Sequence, residues 1–330
     1  MRVAAKLISA ALVSGLVGLS TMVLVLAPAA SATFRGRNGA LLWTSNVSPG
    51  LWLSADNGKQ ARKISSRGDP CGLYTGALFT RSGTEILFPA SSQCGNAPVQ
   101  ILLLKLNGAV QKQVATVSLI GNFEGSFALS PDGRQLAYGA DAAVGGPGQG
   151  IVHRVLIIDL RTGRTTQSTT LPQGPTVIGP LTWSARGQLF YTVQATDSVE
   201  VSRPNGSHQR TVPIRLPDPG LGPSVQEVVA SPDGSQLALG VVDNYVNCGN
   251  VGSPSCQNNL YVVNSGGGVA RRLTHSGQAD SPVWSPDGSQ IAFHDGYGTA
   301  IVTVRTGHVR KLVKNRIRGV PTVVDWQALP

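Results

Sequence analysis

Charge is what this sequence has little of. Only 13% of its 330 residues are Asp, Glu, Lys or Arg, about half the usual share of roughly 25%, which excludes a coiled coil and a charge-rich disordered chain. Glutamate is scarcest, with four against thirteen aspartates. Beside 40 glycines and 21 prolines, that balance favours turns over helices, because Asp and Gly serve turns and Glu serves helices. Several chemical signatures are missing as well. There is no Gly-x-Ser-x-Gly elbow of a serine hydrolase and no glycine-rich phosphate loop opening a helix. The five histidines (His153, His208, His275, His294, His308) contain no His-x-x-x-His pair. No catalytic residue and no cofactor are therefore assigned.

What is there begins with an export signal. Arg2 and Lys6 precede an apolar stretch from Leu7 to Leu26, and small residues follow around Ala30-Ser31-Ala32. A positive start, an apolar middle and a small-residue end place cleavage after Ala32, so residues 1–32 are read as a signal peptide and 33–330 as one exported domain. The alternative is an uncleaved anchor, since about 20 residues span a bilayer. No second long apolar run follows. The compartment is thus secreted, periplasmic or cell-envelope. Cys71, Cys94, Cys248 and Cys256 all lie in the exported part, where an even count makes disulfides the expectation and three connectivities are possible. The local choice is Cys71–Cys94 with Cys248–Cys256; a metal site would need tighter clustering or nearby His.

A repeat runs through the rest. Leu-Ser-Pro-Asp-Gly at 129–133, Ala-Ser-Pro-Asp-Gly at 230–234 and Trp-Ser-Pro-Asp-Gly at 284–288 each lead into an apolar triplet, Leu-Ala-Tyr, Leu-Ala-Leu and Ile-Ala-Phe. Phe79–Gly83 and Trp183–Gly187 are degenerate copies, and Trp326 is a truncated sixth anchor. Pro131, Pro232 and Pro286 fix φ. Asp132, Asp233 and Asp287 bond their own backbone, and Gly133, Gly234 and Gly288 end a type I turn. Each unit then carries a second hairpin, closed by turns such as Asn107-Gly108 and Thr162-Gly163. Six units of about four strands, at a period of roughly 40–50 residues, read as propeller blades. The expected fold is an all-β, six-bladed propeller. Its ring closes by one shared blade: Pro321–Leu329 supplies the strand that Asn38–Trp43 lacks, since an open edge invites aggregation.

Gly267–Thr274 with Pro282–Phe293 resembles the WD40-like PD40 repeats of TolB-type six-bladed propellers. The resemblance covers about residues 38–329 and implies an exported scaffold; the family's motif residues are structural and bring no catalytic role.

Two functional expectations follow. The first is a non-catalytic, monomeric scaffold that binds a protein or an anionic envelope polymer through loops on one rim. Long insertions at Gly139–Gly150 and Asn244–Asn259 leave the same side of the ring, and loops on a rigid scaffold are where binding usually resides. Nucleic acid is excluded as a partner by export, and membrane contact is expected only through an uncleaved signal. The alternative is a small-molecule hydrolase or lyase with a divalent metal in the channel. Asp141, Asp197, Asp243 and Asp295 follow the apolar triplets in four units at comparable offsets, and an acidic ring of that kind can hold a hard cation. The basic run Arg305–Arg318 reads as an exposed outer strand and loop, with Lys and Arg discouraging edge pairing.

Overall fold

The computed structural model describes residues 34–45, 50–65, 76–90, 98–118, 127–143, 151–170, 178–193, 198–217, 223–243, 257–312, 317 and 321–330. The N-terminal apolar stretch Leu7–Leu26 and all four cysteines lie outside these residues.

Six four-stranded antiparallel sheets make a six-bladed β-propeller. Blade 1 takes β1 (Arg37–Ser45), β2 (Leu51–Ser54) and β3 (Arg62–Ser65) from the start of the described chain. Blade 2 comprises β4 (Leu78–Phe79), β5 (Glu85–Ala90), β6 (Pro98–Lys105) and β7 (Val110–Ser118). Blade 3 follows with β8 (Phe127–Leu129), β9 (Gln135–Ala143), β10 (Ile151–Asp159) and β11 (Thr165–Thr170). Blade 4 has β12 (Ile178–Trp183), β13 (Leu189–Val193), β14 (Ser198–Ser202) and β15 (Arg210–Thr211), after which β16 (Ile214–Arg215) leaves the sheet. Blade 5 is β17 (Ser224–Ala230), β18 (Gln236–Val242), β19 (Asn258–Asn264) and β21 (Arg271–Arg272), with β20 (Gly268–Val269) in its second turn. Blade 6 is β22 (Asp280–Trp284), β23 (Gln290–His294), β24 (Thr299–Thr303) and β25 (Val309–Lys311), and β26 (Pro321–Leu329) returns to blade 1.

There β26 pairs antiparallel with β1 from Arg37↔Leu329 to Ser45↔Pro321, which is the closure read from the two chain segments. The first strands of the blades sit side by side around the axis: β26 against β4 and β22, β22 against β17, β17 against β12, and β12 against β8.

The repeat motif builds the first turn as its residues dictate. In blade 3, Gly133 N donates to Ser130 O at 2.8 Å. Asp132 Oδ1 accepts from Ser130 Oγ at 2.6 Å and Arg134 N at 3.0 Å. The degenerate copies keep the turn without Pro-Asp, because Gly83 and Gly187 still take φ of 68° and 73° and donate to Thr80 O and Ser184 O.

The apolar core lies between blades. Phe190, Val225 and Tyr261 join blades 4 and 5, Val229 and Trp284 join blades 5 and 6, and Phe79, Phe88 and Val324 join blades 1 and 2. Each such side chain contributes about 1.5–3 kcal/mol on burial.

Two features depart from the sequence reading. Gly139–Ala143 is strand rather than insertion, because β10 is long enough to pair it out to Ile151↔Ala143. Past Pro213, which has no N–H to extend a ladder, β16 pairs in parallel with β20, latching blade 4 to blade 5.

Antiparallel alternation separates two faces. The first and second turns of each blade share one, here the turn face; in blade 3, Leu160 N of the second turn donates to Arg134 O of the first. The loops between second and third strands share the other, the loop face.

Candidate functional site

The loop-face ends of blades 5 and 6 gather most of the described titratable side chains that interact with one another. Glu227 interrupts the otherwise apolar end of β17. A bulge between Val225 and Glu227 sets it opposite Gly240, and a Cβ at Gly240 would overlap Glu227 Oε2. The absent side chain makes room for the carboxyl. Across the blade interface, Ser281 N donates to Glu227 Oε2 at 2.9 Å and Oε1 at 3.1 Å. Ser281 holds φ at 54°, inside a second bulge between Asp280 and Val283. Burial first, and the nearby Asp280 carboxylate second, push the Glu227 carboxyl up to about 8, against the Ser281 amide, which favours the anion. Asp280 Oδ1 accepts from Ser281 Oγ at 3.0 Å, and its Oδ2 lies 3.3 Å from His294 Nδ1.

Two further clusters flank this one. Asp243, just past β18, accepts from Asn259 Nδ2 at 2.7 Å and Tyr261 Oη at 2.8 Å, and pairs with Arg272 at 2.9 Å. The Arg272 guanidinium also lies 5.8 Å from the Tyr261 ring centroid. Asp295, just past β23, accepts from Tyr297 N at 3.0 Å and pairs with Lys311 at 3.3 Å. The Lys311 ammonium lies 5.4 Å from the Tyr297 ring. Tyr297 is 63% exposed, so its ring faces outward beside the Lys311 ammonium.

The four aspartates of the expected ring are thus placed unequally. Asp141 lies on β9 with its backbone opposite His153, and Asp197 lies outside the described residues. Asp243 and Asp295 do end the second strands of their blades on the loop face, but each carboxylate is engaged within its own blade. Among the described residues no three His, Cys, Asp or Glu side chains converge as metal ligands. His294 is buried against Asp280. The sequence reading missed Glu227; the signal available was a glutamate, the rarest charge here, between Val225-Gln226 and the apolar Val228–Ala230.

Chemically, Glu227 is a carboxylic acid kept protonated near neutral pH and sealed between two blades, so it shapes the interface without reaching solvent. What the loop face offers outward is an aromatic ring, an ammonium and the flanking loops.

No protein-family model matches the chain, and no curated protein matches it in sequence. Solved structures do match in shape. A protein described as TolB from Agrobacterium tumefaciens superposes with a TM-score of 0.54 at 12% identity, over 84% of this chain and 88% of that one. The fold is that of a TolB-type propeller. An oligogalacturonate lyase in complex with manganese shares the architecture at a TM-score of 0.56 and 14% identity, over 92% of this chain and 90% of that one. A chain of a nidogen/laminin complex does so at 0.59 and 11%, over 87% and 98%. Quite different proteins therefore share this architecture, and at these identities the likeness speaks for fold alone. Among the described residues no helix is long and apolar enough to cross a membrane.

Proposed function

We propose that the protein is an exported, non-catalytic TolB-like scaffold of the cell envelope, or secreted, that binds a protein or an anionic envelope polymer through its loop face. In this reading residues 1–32 direct export, residues 33–330 form the propeller, and Cys71–Cys94 and Cys248–Cys256 pair in the oxidising compartment. The observation that carries it is the Asp295–Lys311–Tyr297 cluster. The carboxylate is engaged by the ammonium, whereas Tyr297 and Lys311 project outward beside the loop ends. Crosslinking capture on whole cells tests it, comparing the intact protein with a variant lacking residues 247–259 and with Tyr297→Ala. The same partner recovered by the intact protein and lost from both variants supports the reading. Capture that neither variant changes overturns the loop face as the binding surface.

A second reading, a small-molecule enzyme using a divalent metal, draws on the manganese that accompanies the oligogalacturonate lyase of the same fold. Its test is metal analysis of purified protein. A stoichiometric divalent ion lost on Asp243→Ala would favour it, and no ion would remove it.

A further inference from the structure

The turn face carries a charge pattern that the loop face does not share. Its first turns present Arg81, Arg134 and Arg186, all exposed. Its second turns present Lys59, Lys105, Arg161, Arg164, Arg203 and Arg305, also exposed. Arg35 and Arg37 add two more where the chain enters blade 1. None of these eleven forms an ion pair among the described residues. The ion pairs described instead, Arg272–Asp243 and Lys311–Asp295, both belong to the loop-face clusters, as does the His294–Asp280 contact.

The acids of the turn face are fewer than its cations, and most are held by hydrogen bonds within their own turns. Asp132, Asp233 and Asp287 accept from the serine hydroxyls two residues earlier at 2.6–2.7 Å, and Asp159 accepts from the Arg161 and Thr162 amides at 3.0 and 2.8 Å. Among the described residues only Asp56 and, at the strand edge, Glu85 remain, and Glu85 is bonded by Gln111 Nε2. Eleven exposed cations, two of them (Arg81 and Arg37) bonded to the Pro131 and Pro330 carbonyls, against six carboxylates leave the face net positive, and it presents a positive potential to whatever lies opposite.

The second observation is independent of charge. Phe34 and Arg35 line a cavity of about 300 Å³ at the centre of this face, together with Arg81, Pro131, Pro232 and Leu329. In sequence, Phe34 comes directly after the apolar stretch Leu7–Leu26 and its small-residue tail. Before cleavage after Ala32, or if the signal is retained, the apolar stretch thus enters the domain at the middle of its cationic face.

We propose that the turn face docks on an anionic lipid surface, with the loop face turned away from the bilayer. The cations match lipid phosphates electrostatically, with no pocket needed for any single headgroup, and the attraction weakens as salt shortens the screening length. This goes beyond the loop-face reading and stands or falls separately from it.

Vesicle co-sedimentation of the full chain tests the docking, using phosphatidylcholine with and without phosphatidylglycerol. Any contribution of the apolar segment is the same in every variant and shows as the phosphatidylcholine baseline. Two charge reversals are made on the turn face: Arg134→Glu with Arg164→Glu and Arg186→Glu, and Lys59→Glu with Lys105→Glu and Arg305→Glu. The control, Lys112→Glu with Arg210→Glu and Arg310→Glu, makes the same charge change on outer strands. Each is first checked for an unchanged thermal midpoint. Either turn-face set should lower phosphatidylglycerol-dependent binding by at least about 100-fold, from roughly fivefold for each of three cations lost near the surface before the added carboxylates repel the lipid, while the control stays within severalfold of the parent. Equal losses in all three sets, or no dependence on phosphatidylglycerol, overturns the proposal. So does soluble polyglutamate binding that follows the turn-face variants when the vesicles do not.

Discussion

Asp325 accepts a hydrogen bond from the Phe79 amide at 2.6 Å, tying the closing strand to the first strand of blade 2 across 246 positions of sequence. The Thr182 hydroxyl accepts from Ala230 N at 3.3 Å in the corresponding place between blades 4 and 5. Both acceptors lie one residue before a tryptophan anchor, and both serve the anchor of the following blade.

Asp325 is fully buried, and burial holds its carboxyl well above the usual range despite the amides of Phe79 and Trp326 that favour the anion. Asp325→Asn keeps one acceptor but sets its NH2 against the second amide, since Oδ2 accepts from Phe79 N and Oδ1 from Trp326 N, and its urea midpoint should fall between those of the parent and Asp325→Ala. Asp325→Ala leaves the Phe79 amide without its acceptor and should cost about 1–3 kcal/mol. Equal effects of the two substitutions would mean that the acceptor and the volume retained by Asn contribute nothing at this site.

The raised Glu227 carboxyl makes stability depend on pH with a definite sign. The folded state holds its proton up to about 8, whereas an unfolded glutamate releases it near 4.5. Stability from this group is complete below the lower value and is lost as pH rises through the upper one, by about 1.4 kcal/mol for each tenfold difference in proton affinity. Denaturation curves across that interval should fall for the parent and flatten for Glu227→Gln. A parent curve no steeper than that of Glu227→Gln refutes this assignment. Asp132 acts oppositely: the Ser130 hydroxyl lowers its carboxyl, so its contribution is lost only as pH falls below the ordinary aspartate range.

Two glycines of similar φ separate local from inter-blade demands. Gly187, at 73°, has nothing within 4 Å of where a Cβ would stand. Gly108, at 86°, would drive a Cβ into the Ile64 carbonyl of the preceding blade. Gly187→Ala should cost about 1–2 kcal/mol for the left-handed backbone alone. Gly108→Ala should cost clearly more, since the blades must separate to admit the methyl. Equal costs in urea denaturation would show that the close approach is unimportant.

Asp243→Ala strands Asn259, Tyr261 and Arg272 together and should destabilise by about 2–4 kcal/mol. Chelation with EDTA should leave the parent's thermal midpoint where it was, because Arg272 already neutralises this carboxylate. A midpoint that drops on chelation would return Asp243 to the role of metal ligand.

The blades were legible because each is written locally. Ser-Pro-Asp-Gly before Leu-Ala-Tyr or Ile-Ala-Phe specifies turn and strand over a short stretch, and the degenerate copies at Phe79 and Trp183 survive because glycine remains where positive φ is needed. The site was far less legible. Offsets from the anchors put Asp243 and Asp295 on the right face. Nothing beside them in sequence announces their partners, Arg272 and Lys311, which come from the outer strands β21 and β25. Glu227 was missed because its environment comes from Ser281, on another blade, and from the missing side chain of Gly240.

Sequence by itself determined the repeating unit, the number of blades and the pairing of the two chain segments that close the ring, since turn chemistry and alternating apolar residues act over a few positions. Only the tertiary structure decided which carboxylates meet cations, which acid is buried and which face collects the unpaired arginines and lysines. Those outcomes depend on contacts between strands and blades far apart in the chain, where burial and electrostatics act through space and leave no mark on the local pattern.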